Sequence, residues 1–130
     1  MTRSLFAAAA LVLVAWGVAP ALAEPPDLER GEELWAKCRA CHTIDAAGRN
    51  TVGPKLHGLF GRTAGAVPDY RYSDAMKRSG VVWTDESLDR YLGATQDFMP
   101  GSKMYGGLAI EQDRIDLLAW MRKAAGVSRP

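Results

Sequence analysis

Three residues in the first third of the chain could carry out chemistry, judged from their types and spacing. The segment KCRACHTID, residues 37–45, contains Cys38, Cys41 and His42, which are both cysteines of the chain and one of its two histidines. Two thiols three positions apart, followed by an imidazole, could form a disulfide, bind zinc or attach a haem. The surrounding sequence decides among these chemistries.

A disulfide and a zinc site both fit this cluster poorly. A redox-active Cys-x-x-Cys pair normally lies beside a strand–helix–strand pattern, and no segment here alternates clearly enough to predict a strand. Zinc needs four ligands, and the available set is Cys38, Cys41, His42 and His57. Because the adjacent residues Cys41 and His42 point in different directions, sharing one small ion would be awkward.

Covalent attachment of a haem explains the spacing best. Residues three positions apart on a helical turn lie near each other, so Cys38 and Cys41 can reach two vinyl groups on one porphyrin edge. The next residue is rotated by about 100° about the helix axis, which lets the His42 imidazole lie beneath the iron. Cys-x-x-Cys-His is typical of c-type haem attachment. The sequence therefore predicts one covalent haem c with His42 as an axial ligand.

The presence or absence of a second axial protein ligand distinguishes an electron carrier from a protein that binds gases or peroxide. Iron with one protein ligand binds gases or peroxide, whereas iron with two protein ligands mainly transfers electrons. The segment FMPGSKMYGG, residues 98–107, offers Met99 and Met104, and a thioether ligand raises the reduction potential because it favours ferrous iron. His57 is the only other histidine, but it lies in a glycine-rich loop soon after His42.

The first 23 residues have the features of a secretory signal peptide. They contain one positive charge at Arg3, an apolar block from Leu5 to Val18, and the pattern Ala21-Leu22-Ala23, which a signal peptidase accepts. An uncleaved anchor is the alternative, but the apolar block is shorter than the ~20 residues that span a bilayer. We predict that residues 1–23 are removed, that the protein is exported to the periplasm, and that residues 24–130 form one domain.

The charge of the chain argues against a nucleic-acid partner. The full chain has 16 Lys and Arg against 15 Asp and Glu. Loss of Arg3 with the signal peptide would leave a formally neutral protein, and no block of like charges remains in it. Nucleic-acid binding usually requires such a basic cluster.

Helical patterns dominate the mature chain. We predict helices over residues 28–38 with Asp27 as N-cap, over 73–79, over a segment capped by Thr84, and over about 111–125. Glycines and prolines interrupt any period between residues 43 and 70, which predicts a long loop wrapped around something. The prediction is an all-α fold of about four helices and long loops. Because its interior is thin, the chain without haem should be poorly folded.

From residue 28 to about residue 125, the sequence resembles the class I c-type cytochromes, of the type shared by mitochondria and many α-proteobacteria. The segments CRACHTID, GPKLHGLFGRTAG and FMPGSKM, the regions around Tyr72 and Trp83, and the C-terminal helix follow that family's order. The resemblance implies the small cytochrome c fold around one haem. It also implies that Met104, rather than Met99, is the second axial ligand.

The resemblance implies further roles around the haem. The Pro54 carbonyl would accept a hydrogen bond from the proximal imidazole, which fixes the ring and makes it more basic. Arg62, Tyr72 and Trp83 would donate hydrogen bonds to the haem propionates, because a carboxylate inside a protein needs such donors. Tyr91 would lie over the haem near the methionine sulfur.

Other matching positions imply structural roles. His57 resembles a histidine that ties loops together, so it is kept out of the iron site. The crossing of the first and last helices would involve Gly31, Trp35, Leu117 and Trp120.

Two departures from the family pattern concern the haem pocket and the docking surface. Met76 stands where mitochondrial proteins usually have an asparagine, which puts the polar network around Tyr91 in doubt. The lysine-rich docking ring of those proteins is thin here, with Lys37, Lys55 and Lys103 as its plausible members. Partner docking would then depend on a local charge patch.

The resemblance implies a soluble periplasmic one-electron carrier whose iron cycles between Fe(II) and Fe(III), and not an enzyme. Redox partner proteins would bind transiently through small areas, and we expect a monomer without a membrane anchor after cleavage. The alternative is a five-coordinate c-type haem protein that binds gas or turns over peroxide. That alternative requires Met104 to be absent from the iron.

Overall fold

The computed structural model describes residue 17 and residues 24–125 of the 130-residue chain. This part contains helices and no β-strand, with one isolated bridge between Thr63 and Val82. The helices are α1 (Leu28–Cys38), α2 (Asp74–Arg78), α3 (Asp85–Gly93), α4 (Thr95–Phe98) and α5 (Glu111–Ala124). The predicted all-α fold is confirmed. The predicted signal peptide, residues 1–23, lies outside the described residues apart from Gly17.

No helix among the described residues combines the length and the apolar character that crossing a membrane requires.

Helix α1 begins at the predicted cap and ends inside the Cys-x-x-Cys-His segment. The Asp27 side chain accepts hydrogen bonds from the two backbone N–H groups of the first turn, at 2.9 and 3.0 Å, which is how an aspartate N-cap stabilises a helix. After Cys38 the chain keeps turning, because the N–H groups of Cys41 and His42 both donate to the Cys38 carbonyl at 3.0 Å. The helix therefore fixes the relative positions of the two thiols and the imidazole.

The crossing of α1 and α5 closes the fold. A Cβ on Gly31 would overlap the Asp116 carbonyl and lie 2.7 Å from the Cβ of Trp120, so only glycine permits this approach. Trp35 and Trp120 stack with their ring centroids 5.5 Å apart, and Leu117 is fully buried. The predicted contact between the first and last helices is present.

Helix α3 begins at the predicted cap, whereas α4 is a helix that the sequence pattern does not predict. Thr84 and Ser87 form a reciprocal capping box at the start of α3. Helix α4 has only four residues, too few for a periodic pattern, and Ala94 before it provides no side-chain cap. The described part of the chain therefore has five helices where about four are predicted.

The ends of the other helices differ from the prediction by one residue. Helix α2 is shorter than residues 73–79 because Ser73 is its N-cap and Ser79 its C-cap. Helix α5 ends at Ala124, and Ala125 is its C-cap.

Two ion pairs hold α5 against α3. Arg114 contacts Asp89 at 2.6 Å, and Arg122 contacts Asp85 at 2.8 Å. The Arg122 guanidinium also lies over the Phe60 ring, 4.2 Å from its centroid, which attaches the long loop to the last helix.

The predicted loop between residues 43 and 70 is present and is fixed by hydrogen bonds to its surroundings. The Leu56 N–H donates to the Thr43 carbonyl at 2.8 Å. Near the end of the loop, the Gly61 N–H donates to the Trp83 carbonyl at 2.7 Å, and the Trp83 N–H donates to the Arg62 carbonyl at 2.9 Å. Together the loop and the helices surround an apolar cavity.

Candidate haem site

The cavity contains most of the residues that the sequence analysis assigns to the haem. The space inside it, including the open mouth, is about 850 Å³. Its lining is predominantly apolar. The predicted site residues among the lining are Cys38, His42, Pro54, Arg62, Tyr72, Trp83, Tyr91 and Met104.

The two cysteines lie at the α1 end of the cavity, and no disulfide joins them. Cys38 lines the cavity and Cys41 is half-buried just after it. Burial raises the pKa of the Cys38 thiol, with Lys37 acting in the opposite direction, so this thiol is neutral at physiological pH. Within residues 24–125 no three Cys, His, Asp or Glu side chains converge as a metal cluster would require, and the His57 side chain is exposed.

The imidazole of His42 is held by the loop that follows it. Its Nδ1 lies 2.8 Å from the Pro54 carbonyl oxygen. Because a carbonyl oxygen can only accept a hydrogen bond, Nδ1 carries the proton, and Nε2 keeps a lone pair that is free to bind a metal. Burial lowers the pKa of His42, although the bond to Pro54 opposes that shift. A neutral imidazole with one fixed N–H is the form that binds a metal.

Gly53, the residue before Pro54, permits this arrangement, and the sequence pattern alone does not single it out. A Cβ there would lie 2.6 Å from His42 Nδ1 and 2.8 Å from Nε2, far inside van der Waals contact. The Gly53 N–H also donates to the Cys41 carbonyl at 2.7 Å. The glycine thus lets the loop backbone lie directly on the imidazole ring.

The structure separates the two candidate methionines. Met104 is half-buried and lines the cavity, whereas Met99 is 5% exposed, belongs to the core, and does not line the cavity. Met76 and Met121 line the cavity as well, but both lie on helices. Met104 is the cavity-lining methionine on a loop, between α4 and α5.

Arg62, Tyr72 and Trp83 lie together along the cavity wall. Arg62 donates to the backbone carbonyls of His57 at 2.9 Å and Lys55 at 3.0 Å, so it also fixes this part of the loop. Burial lowers the pKa of Arg62. Among residues 24–125, no carboxylate forms an ion pair with Arg62.

Tyr91 is buried beside the cavity and bonds to a residue that the sequence analysis did not select. Its hydroxyl forms a hydrogen bond with the Ser102 hydroxyl, and Ser102 is 1% exposed. The Met104 N–H donates to the same Ser102 oxygen at 3.3 Å. Burial raises the pKa of Tyr91, so its hydroxyl stays protonated. Ser102 lies in the FMPGSKM segment between Met99 and Met104, and this position is the sequence signal that could have pointed to a role near the methionine ligand.

The remaining predicted residues lie outside the centre of the site. The backbone carbonyl of His57, and not its exposed side chain, takes part in holding the loop. Lys103 lines the mouth of the cavity, but its Nζ donates to the Arg71 carbonyl at 2.8 Å. Lys37 is exposed and Lys55 is half-buried. Of the expected docking lysines, Lys103 is thus already part of a contact between two loops.

The residues present fit a covalently bound haem. The cavity is apolar and provides one neutral imidazole, one loop thioether and an adjacent thiol. Arg62 uses two of its five N–H donors on backbone carbonyls, so it can also pair with an anion, and the propionates of a haem are carboxylates. The cavity wall thus offers apolar contacts for the porphyrin, two possible ligands for the iron and a cation for the propionates.

Comparison with known proteins identifies the class. Residues 28–125 match the family described as Cytochrome c. Cytochrome c2 of Blastochloris viridis is 40% identical over 114 residues, covering 87% of this chain and 88% of the relative. Cytochrome c of Theileria parva is 46% identical over 101 residues (76% and 87%), and that of Gibberella zeae is 43% identical over 98 residues (74% and 92%).

The chain therefore belongs to the cytochrome c family and is a class I c-type cytochrome. Members of this family carry one covalent haem c and transfer electrons, and Cys38 and Cys41 fit the attachment motif.

Proposed function

We propose that this protein is a periplasmic one-electron carrier whose haem is attached through Cys38 and Cys41, with His42 and Met104 as axial ligands. The observation that carries the proposal is that His42, oriented by Pro54, and the loop residue Met104 line one apolar cavity. When bound, the haem supplies a single iron that cycles between Fe(II) and Fe(III).

The polypeptide would keep both ligands in place during electron transfer. The Pro54 carbonyl orients the His42 ring and increases its basicity. Buried apolar groups exclude water, which favours the less charged ferrous state, and the thioether of Met104 acts in the same direction. Because neither ligand needs to move, little rearranges when the electron arrives or leaves.

Arg62, Tyr72 and Trp83 would hold the propionate edge of the cofactor. All three line the cavity, and Arg62 has no carboxylate partner among the described residues. Their N–H and O–H groups are donors that suit carboxylates. The resulting contacts would neutralise the propionates inside a largely apolar wall.

Export to the periplasm is supported by the sequence of residues 1–23 and by the relatedness to a bacterial cytochrome c2. N-terminal sequencing of protein from a periplasmic fraction tests this part of the proposal. We expect the mature chain to begin at Glu24, and an intact Met1 would contradict cleavage.

Substitution of the two methionines tests the axial ligands. We expect Met104→Ala to lower the reduction potential sharply and to abolish the weak red absorption band of ferric iron–sulfur ligation. We expect Met99→Ala to leave both unchanged but to cost about 2–5 kcal/mol of stability, because Met99 is buried in the core.

Potentiometry, absorption spectra and thermal unfolding of the purified holoproteins provide these measurements. The opposite ranking would show that Met99 is the ligand. Prompt carbon monoxide binding by the wild-type ferrous protein at neutral pH would favour a five-coordinate haem and contradict the carrier role. Release of the haem by acid–acetone would contradict attachment through Cys38 and Cys41.

A further inference from the structure

The loop that contains Met104 has few hydrogen bonds of its own. It lies between α4 and α5, outside any helix or strand, and its next residue, Tyr105, is 79% exposed. Exposed irregular segments open more easily than packed helices. Something outside the loop must therefore hold the methionine against the cavity.

The side chain of Gln96 makes such a contact, in addition to the bonds of Tyr91 to Ser102 and of Lys103 to the Arg71 carbonyl. Its Nε2 donates to the backbone carbonyl of Ser102 at 2.9 Å and to the carbonyl of Met104 at 2.9 Å. A primary amide has two N–H donors, and both are used here. The two carbonyls lie on either side of the Lys103–Met104 backbone, so a single side chain spans the segment that positions the thioether.

Helix α4 gives Gln96 a rigid base. The adjacent Thr95 is buried, and the Met99 N–H donates to the Thr95 carbonyl at 3.0 Å. Phe98 packs edge-on against Tyr91 with centroids 6.1 Å apart, and the Arg90 guanidinium lies 5.0 Å from the Phe98 ring centroid. The short helix is thus attached to α3, and the amide of Gln96 is presented from a fixed backbone.

We propose that Gln96 is a positioning residue for the methionine ligand. It sets how rarely the Met104 loop opens, and therefore how well an outside ligand competes for the iron. This inference rests on the proposed His42 and Met104 ligation. An outside ligand needs the thioether to leave, and withdrawal of the loop breaks both bonds from Gln96. The apparent affinity for that ligand is the intrinsic affinity multiplied by the fraction of open protein.

The test is an imidazole titration of the ferric holoprotein, with Gln96→Leu and Gln96→Glu compared with the wild type. Leucine removes both donors, and ionised glutamate keeps the shape while having no N–H. Loss of two net hydrogen bonds corresponds to about a tenfold to hundredfold change in an equilibrium constant. We expect imidazole to bind at least tenfold more tightly to both variants, with the reduction potential of the imidazole-free protein close to that of the wild type.

Gln112→Leu is the matched control, since Gln96 and Gln112 are the two glutamines of the chain. Gln112 lies on α5 and donates to the Asp116 carboxylate at 2.9 Å, so the same substitution removes a hydrogen bond elsewhere. We expect its imidazole affinity to stay within twofold of the wild type. An equal increase in Gln112→Leu would mean general destabilisation and would overturn the proposal.

Met104→Ala provides the reference for iron without the competing thioether. If the wild type binds imidazole as tightly as Met104→Ala does, the proposed ligand set is wrong and the inference falls with it. If those two proteins differ but Gln96→Leu and Gln96→Glu match the wild type, the ligand set stands and only the role of Gln96 is refuted.

Discussion

Replacement of Gly53 by alanine tests whether the loop backbone must lie on the imidazole of His42, the proposed iron ligand. The added Cβ would lie 2.6 Å from His42 Nδ1 and 2.8 Å from Nε2, and closer still to Cε1. His42 directly follows Cys41 and is fixed by the end of α1, so the loop would have to move away by roughly 1 Å to reach ordinary contact. That movement breaks the bond between Nδ1 and the Pro54 carbonyl, which is 2.8 Å long.

The expected cost of Gly53→Ala combines overpacking with a lost hydrogen bond. Overpacking costs about 1–3 kcal/mol and the hydrogen bond about 1 kcal/mol, so the free energy of unfolding should fall by about 2–4 kcal/mol. The reduction potential should rise, because an imidazole that no longer donates from Nδ1 is a less basic ligand and stabilises ferric iron less. Denaturant unfolding and potentiometry of the ferric and ferrous holoprotein measure the two effects.

Gly58→Ala is the control for this experiment. Gly58 has φ +70° and no atom within 4 Å of an added Cβ, so alanine there introduces backbone strain of about 1–2 kcal/mol without any contact to His42. Its reduction potential should equal that of the wild type. The reasoning is refuted if Gly53→Ala and Gly58→Ala have the same potential, since the loop would then not act on the imidazole.

Three further predictions concern the helix crossing, the propionate edge and the cofactor. Gly31→Ala should destabilise the fold by about 1–3 kcal/mol without changing the absorption spectrum, because its Cβ would overlap the Asp116 carbonyl; unchanged thermal unfolding would contradict the close crossing. Arg62→Met should lower the reduction potential, since a positive charge near the haem favours ferrous iron; a potential equal to the wild type would remove Arg62 from the propionate site. The chain without haem should lack cooperative thermal unfolding, because the cavity lies between the helices and loops that form the core and keeps many of their apolar side chains apart. A sharp transition by circular dichroism would show that the polypeptide folds alone.

Three of the predicted helices begin at polar caps, whereas α5 is predicted from its apolar pattern although Ile110 before it provides no side-chain cap. Asp27 and Thr84 accept backbone hydrogen bonds at the predicted helix starts, and these signals are local in the sequence. Helix α4 has neither a capping side chain nor enough length for a period. It forms because Thr95 is buried and Phe98 packs on Tyr91, and such tertiary contacts have no local sequence signature.

The residues of the candidate site likewise fall into two groups, those that the sequence reveals and those that it does not. The residues proposed to carry the chemistry, Cys38, Cys41 and His42, could be found because the motif is contiguous and its spacing has a geometric meaning. Ser102 and Gln96 were not found, because their contacts join Tyr91 and the backbone of the Met104 loop across gaps in the sequence. A hydroxyl or an amide is common on any surface, so its type alone does not indicate such a role.

The contact between α1 and α5 also determines when the domain can close as it folds. The Asp27 N–H donates to the Asp116 carboxylate across 89 residues of sequence, and contacts at such separation form late and slowly. The segment that contains Cys38 and Cys41 therefore precedes this closure in the order of folding. While α5 is undocked, both sulfurs are accessible for haem attachment, and docking of α5 against α1 follows once the linkage has formed.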